Sequence, residues 1–305
     1  MKKLYICLAV LAAFTFSMRA SAQVLPFVAS DHSSASIAKG GLSLTDASNT
    51  AYSAFQSPAA MAFSKDVMDL SVGYIMWQPT QVKTNIVNAA GMYKINEKFG
   101  VAAGVSYGMS PKYDIIDATG KASGSFRPSE MELGAGLAWR LHKNVSVGAN
   151  VGYARSTLAE SVSYSALVAD LHALAVFGGF KASVALSDIG TGVTSASGVK
   201  FSLPTSLALA AGYDAALVEK HAIGVEAQAQ YYFTGDIAAS FGAQYTYDDL
   251  VSVKAGYRYG GASVIPSFVS AGVGVKISEI KLDLAYLMSS TAMANSMCVS
   301  LGYSF

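Results

Sequence analysis

The feature that most constrains this chain is an alternation of apolar with small or polar residues, kept up for about ten residues at a time and repeated along most of its length. In Val145-Ser146-Val147-Gly148-Ala149-Asn150-Val151-Gly152-Tyr153 the odd positions are apolar and the even ones are Ser, Gly or Asn. Phe99, Val101, Ala103, Val105 and Tyr107 likewise stand opposite Gly100, Ala102, Gly104, Ser106 and Gly108. Val251, Val253, Ala255, Tyr257 and Tyr259 stand opposite Ser252, Lys254, Gly256, Arg258 and Gly260. A period of two belongs to a strand with chemically different faces. These runs exceed the usual globular strand of about 5–6 residues. They match the roughly 9–11 residues with which a tilted strand crosses a bilayer.

Fourteen such segments are expected, near 67–78, 82–94, 98–109, 129–141, 144–156, 165–177, 180–189, 204–214, 220–233, 236–247, 250–260, 266–277, 279–289 and 295–305. Tight turns follow every second segment: Asn96-Glu97, His142-Lys143, Gly178-Gly179, Leu217-Val218-Glu219, Asp248-Asp249 and Ser278-Glu279. The other links vary and include the long stretches 110–128 and 190–203. Short turns on one side and longer loops on the other are the organisation of an outer-membrane barrel. An open sheet edge in lipid would leave backbone groups unsatisfied, so the sheet must close. The expected fold is all-β: a closed antiparallel transmembrane β-barrel of about fourteen strands, residues 67–305, with a small helical plug before it. Aromatic residues near strand ends, such as Trp77, Tyr93, Trp139, Tyr213 and Tyr257, fit interfacial girdles. The competing architecture is a soluble β-sandwich or a secreted repeat protein. Only 13% of residues are charged, against about a quarter in soluble domains, and this weighs against it. A net charge of +1 offers no nucleic-acid-binding surface.

The start of the chain reads as a secretory signal peptide, residues 1–22. Lys2 and Lys3 precede the apolar run Leu4–Phe16, and Ala20-Ser21-Ala22 is a small-x-small cleavage site. The apolar run is too short to span a bilayer, which takes about 20 helical residues. Export and a barrel together imply the bacterial outer membrane, with both termini in the periplasm. No later stretch offers a membrane helix.

Residues 23–66 have a different texture. Asp46 to Phe63 is a small-residue, helix-like run broken at Ser57-Pro58-Ala59-Ala60-Met61-Ala62. Proline is welcome in the first turn of a helix, so Pro58 is expected to begin a short one capped by Ser57. A fourteen-stranded lumen is too wide for wall side chains to fill, and this segment is expected to plug it. The final strand aligns Met297, Val299, Leu301, Tyr303 and Phe305 on one face. Such a strand resembles the C-terminal signal read by the barrel assembly machinery, with Leu301, Tyr303 and Phe305 as the signal residues.

The order of these features resembles the PorV/PorQ family. Its marks are an N-terminal small-residue segment ending in a Pro-Ala-Ala/Gly-Met/Leu-Ala motif, about fourteen strands, and a final Phe. The family is known from Bacteroidetes-type outer membranes and is related to the FadL-type transporters of hydrophobic compounds. Ser57 stands where the family usually has Asn. Leu186-Ser187-Asp188-Ile189-Gly190 with Leu203-Pro204 is similar to the family's mid-barrel pattern, again without its Asn. The resemblance implies a non-enzymatic barrel that transports hydrophobic compounds or serves type IX secretion. The alternative is a structural barrel binding other envelope or surface proteins. Implied partners are outer-membrane lipid, the assembly machinery, and a hydrophobic ligand or secretion-system proteins.

Catalytic signals are poor. Gly104-Val105-Ser106-Tyr107-Gly108 fits G-x-S-x-G but lies in an alternating strand, whereas a nucleophile elbow needs a strand-to-helix turn. His32, His142, His172 and His221 have no metal spacing, and no cofactor is expected. Alternation assigns Lys94, Glu132, Arg140, Glu226, Gln228, Gln230, Gln244, Lys254, Arg258, Lys276, Lys281 and Asp283 to the lumen. Charges on the lipid face cost roughly 2–4 kcal/mol at mid-depth. These lumen groups could line a conduction path or hold a plug by salt bridges; interleaved signs favour the plug. By the same register, arginine is expected to be tolerated better at Ser146 or Asn150 than at Val147 or Val151.

Overall fold

The alternating segments form a closed wall in the computed structural model, which describes residues 25–77, 83–194, 200–260, 264–289 and 295–305. The proposed signal peptide and its cleavage point lie outside the described residues. The strands are β1 (Met68–Trp77), β2 (Thr84–Lys94), β3 (Phe99–Met109), β4 (Tyr113–Ile116), β5 (Ala122–Phe126) and β6 (Ser129–His142). Then come β7 (Val145–Ala159), β8 (Val162–Phe177), β9 (Phe180–Gly190), β10 (Val193–Thr194), β11 (Lys200–Phe201) and β12 (Ser206–Val218). The last are β13 (His221–Tyr232), β14 (Ile237–Tyr247), β15 (Val251–Tyr259), β16 (Phe268–Ile277), β17 (Ile280–Met288) and β18 (Ser296–Ser304).

All but β4, β5, β10 and β11 make one antiparallel barrel, in which β1 pairs with both β2 and β18. The seam is tight: Leu70 stands opposite Tyr303 and Val72 opposite Leu301, and the Met68 and Phe305 main chains exchange hydrogen bonds of 3.0 Å. The fourteen expected segments coincide with the fourteen wall strands. Two small hairpins were not anticipated: β4–β5 within 110–128, and β10–β11 between β9 and β12. Both sit at the rim opposite the tight turns. There the strands are joined by loops that owe nothing to the bilayer, and no long alternation marks them. At the tight-turn rim Asp248 (φ 53°) and Asp249 (φ 52°) supply the paired left-handed conformations of a two-residue hairpin turn.

The outer face carries the apolar set. Leu70, Val72, Leu137, Val151, Leu209 and Phe241 are exposed, as are Leu301, Tyr303 and Phe305. Exposed Tyr93, Trp139, Tyr213, Tyr257 and Tyr259 lie towards strand ends, and Phe99 stacks on Trp139 at 6.1 Å between ring centres. For a wall that faces lipid, this is the buried side.

Residues 25–66 fold inside the wall as a short α-helix, α1 (Ser34–Ala38), and three 3-10 turns, Pro26–Ala29, Ala51–Ala54 and Pro58–Phe63. The helix-like run 46–63 is thus two 3-10 turns, with its break before Pro58. Pro58 does open the last of them, but the Ser57 side chain makes no capping bond; its carbonyl oxygen accepts from Ala60 N–H at 3.0 Å. Ser57, Pro58, Ala59, Ala60, Met61 and Ala62 are all buried. Glycines on the inner wall let the plug backbone come close. A Cβ on Gly256 would fall 2.1 Å from the Lys39 carbonyl carbon, on Gly148 2.6 Å from Ala59 N, and on Gly134 2.6 Å from Ala54 O.

This filling corrects the expected tolerance of inward positions. Ser146 is fully buried and donates to Ala59 O at 2.8 Å, and Asn150 is 3% exposed. Arginine at either would collide with plug or neighbours, while Val151, 63% exposed, would place arginine in lipid. Val151→Arg should destabilise the folded barrel by roughly 2–4 kcal/mol, measured by denaturant titration in vesicles. Gly256→Val should expel the Lys39 loop; limited proteolysis of the assembled barrel should then cut within residues 25–66, where the parent resists.

Candidate functional site

The charged groups inside the barrel converge on the plug. Lys39, 3% exposed, ends α1 and is followed by Gly40 and Gly41 at φ 81° and 77°. These two left-handed residues reverse the chain where β-carbons would strike Tyr257 and Asp31. The turn aims Lys39 Nζ at Asp46 Oδ2, 2.7 Å away, and at Glu226 Oε1 of β13, 2.9 Å away. Burial alone would raise the Asp46 carboxyl pKa, but the Lys39 charge, joined by Lys181, holds it well below the usual carboxylate range. Burial likewise opposes the charge on Lys39, and its two carboxylates raise its pKa above the ordinary lysine value.

Further ties run along the plug. Asp69 of β1 receives Thr50 N–H at 2.9 Å and Ala51 N–H at 3.1 Å, capping the turn Ala51–Ala54. Tyr52 Oη donates to Asn88 Oδ1 at 2.8 Å, and Asn88 donates to His32 O at 3.1 Å. His32 faces Glu132 at 3.2 Å and stacks on Phe55. Ala59 N–H reaches His172 Nδ1 at 3.3 Å. At α1, Ser270 Oγ bridges Gly40 N–H (3.0 Å) and Ala38 O (3.1 Å). The plug is therefore fixed to strands all round the wall.

Of the charges assigned to the lumen, Glu132, Glu226, Lys254 and Arg258 are buried. Lys254 pairs with Asp283 at 2.6 Å; Arg258 donates to Gln230 at 3.0 Å and Tyr232 at 2.9 Å. Lys281 reaches Asp66 at 3.0 Å and Asp69 at 3.6 Å, and Lys94 donates to Ser64 O at 2.9 Å. Arg140 and Lys276 stand apart, half-buried at the tight-turn rim. Arg140 lies 4.9 Å from the Phe63 ring centre and donates to Lys143 O, and Lys276 is the cross-strand neighbour of Lys281. Sequence reasoning missed Lys39, Asp46, Asp69, Asp170 and Asp188. Lys39 was findable: a lone lysine beside Gly-Gly in a small-residue segment needs an acid partner when enclosed. Asp69 and Asp188 follow only from side-chain register.

Cavities between plug and wall are small. One of about 20 Å³ touches Phe27, His32, Ser106 and Glu130; another of about 70 Å³ lies beside Asp170, Asp188 and Arg258. Ser106 of the G-x-S-x-G stretch sits within β3, not on a strand-to-helix turn. Among the described residues, no group of three or more His, Cys, Asp or Glu side chains is placed to hold a metal ion. A larger apolar concavity of about 840 Å³ lies on the outer wall, where small Ala89 and Ala103 are flanked by Leu70, Val72, Val105 and Leu301.

Lys39→Met should leave Asp46 and Glu226 buried and uncompensated, costing roughly 3–5 kcal/mol. Adding Asp46→Asn and Glu226→Gln should recover much of it, a non-additivity that denaturant midpoints would read.

Several solved structures share this architecture. The Ralstonia pickettii toluene transporter TbuX superposes with a TM-score of 0.65 at 11% identity, over 89% of this chain and 97% of that one. The Pseudomonas putida toluene transporter TodX gives 0.61 at 14% identity, over 90% and 98%. The monoaromatic hydrocarbon channel CymD gives 0.63 at 13%, over 89% and 97%. At these identities the likeness is one of fold. Among curated proteins none matches the chain by sequence. The family model of the type IX secretion system protein PorV matches residues 16–234. The plugged, lipid-facing barrel is an outer-membrane protein, and the chain belongs to the PorV family.

Proposed function

We propose that this protein is a plugged, non-enzymatic outer-membrane barrel that serves type IX secretion by holding partner proteins, rather than by conducting solutes through its lumen. Family membership supplies the secretion context. The observation that carries the reading is the plug packed into the lumen: among the described residues, two cavities between plug and wall, of about 20 and 70 Å³, are far below the roughly 300–1,000 Å³ of ordinary ligand pockets. The tight turns and both ends of the barrel segment share one rim, which suits a periplasmic side; the β4–β5 hairpin then stands at the cell surface.

Transport of a hydrophobic compound is the second reading. The fold likeness to toluene transporters and the apolar outer concavity favour it.

Vesicles carrying the purified protein should admit small solutes no faster than protein-free vesicles. A strain lacking the protein should lose type IX substrates from its medium while keeping its uptake of toluene-sized compounds. Retained secretion with lost uptake would reverse the order of the two readings. Deleting residues 24–62 should give either a barrel that leaks small solutes or one too unstable to assemble; an assembled, tight deletion variant would contradict the plug.

A further inference from the structure

We propose that the outer half of the lumen contains a binding site for a primary ammonium group, formed by Asp170, Asp188 and Gln228. This goes beyond the secretion role and does not depend on it.

The site is built by a break in the wall. Ala169 pairs with Ile189 and Leu171 with Leu186, so Ser187 and Asp188 of β9 stand opposite the single residue Asp170 of β8. Such a bulge re-aims a side chain. Asp188 takes the left-handed conformation, φ 57°, and its N–H donates to Asp170 Oδ1 at 2.8 Å. The two carboxyl groups are thereby held side by side against the cavity of about 70 Å³. Asp188 is 7% exposed, and among the described residues its carboxylate receives no hydrogen bond and forms no ion pair. Asp170 gains Asn150 Nδ2 at 3.4 Å and no cation. Gln228 Oε1, on the same cavity, is a buried acceptor without a donor.

Nearby cations have partners of their own, although Arg258, on the same cavity, keeps its Nε unpartnered among the described residues. Arg258 is turned to Gln230 and Tyr232, and a Cβ on Gly41 would lie 2.5 Å from Asp31 Oδ2 and 4.0 Å from Arg258 Nη1, so Asp31 flanks that guanidinium. Lys39 holds Asp46 and Glu226, and Lys181 holds Asp214 at 2.6 Å. Among the described residues, half-buried Asp170 and buried Asp188 have no ion-pair partner. Burying such groups unpaired is costly. An ammonium group carries three N–H donors and one positive charge, one donor for each of Asp170, Asp188 and Gln228. Arg258 lines the same cavity, so a cation there is favoured only beside the aspartates.

The test titrates the full protein in detergent at neutral pH with methylammonium, tetramethylammonium and sodium chlorides, reading heat and melting temperature. Methylammonium should bind saturably and raise the melting temperature. Tetramethylammonium, which has no N–H, and sodium should not. Asp188→Asn, which tolerates the same backbone conformation, should weaken binding at least about tenfold. It should also raise the melting temperature without ligand. Glu279→Gln, an exposed turn residue, should change neither. Should Asp188→Asn fail to assemble, Gln228→Leu should weaken methylammonium binding several-fold in an assembled barrel. The proposal is overturned by no saturable methylammonium binding, by an equal response to tetramethylammonium or sodium, or by unchanged affinity in an assembled variant at Asp188 or Gln228.

Discussion

The structure depends on how closely a plug backbone can approach a barrel wall. Fourteen strands enclose more space than their own inward side chains can occupy, and an unfilled lumen would forfeit the packing that rigidifies the sheet. Glycine on the wall brings main chain against main chain, as at Gly256 with Lys39 and Gly148 with Ala59. Once the backbones are that close, the polar groups of the turns must find partners on the wall. Asp69, Asn88, His172 and Ser270 provide them. The buried Lys39–Asp46–Glu226 group then acts less as a source of stability than as a locator. It is satisfied in one position of the plug, and a displaced plug would strand three charges.

The wall was legible in the sequence because the bilayer imposes one rule on every strand that crosses it. Runs such as Phe99 to Gly108 and Val145 to Tyr153 alternate since one face meets lipid and the other meets protein, and this survives without any knowledge of neighbours. The turn at Asp248-Asp249 and the opening of a tight turn at Pro58 were readable for the equally local reason that few residues suit them. The plug's partners were not. Lys39 and Glu226 are 187 residues apart, and Asp188 becomes conspicuous only when a bulge sets two residues against Asp170. The hairpin β4–β5 escaped notice because its brief strands at the rim follow no lipid-imposed pattern. Sidedness was legible but roominess was not: Ser146 and Asn150 do face inwards, into space already taken.

Arg140 and Lys276 illustrate the same distinction. Period two correctly separates faces but says nothing about depth along a strand. Both residues stand at the rim, where long side chains reach water or an aromatic ring and need no buried partner. Glu132, Glu226, Lys254 and Arg258, deeper in the wall, each have a specific polar neighbour.

The pairing of β1 with β18 has a consequence for how the molecule comes into being. Its seam joins the earliest wall strand to the latest, so the ring is completed by the contact of greatest sequence separation, which pays the largest loop-closure entropy. The plug precedes β1 and touches strands on every side, including β16 and β17 near the end of the ring. Until those strands arrive, the turn after α1 lacks Ser270 and Ser48 lacks Lys281. Enclosure and closure are therefore a single late event, in which the chain shuts around its own beginning.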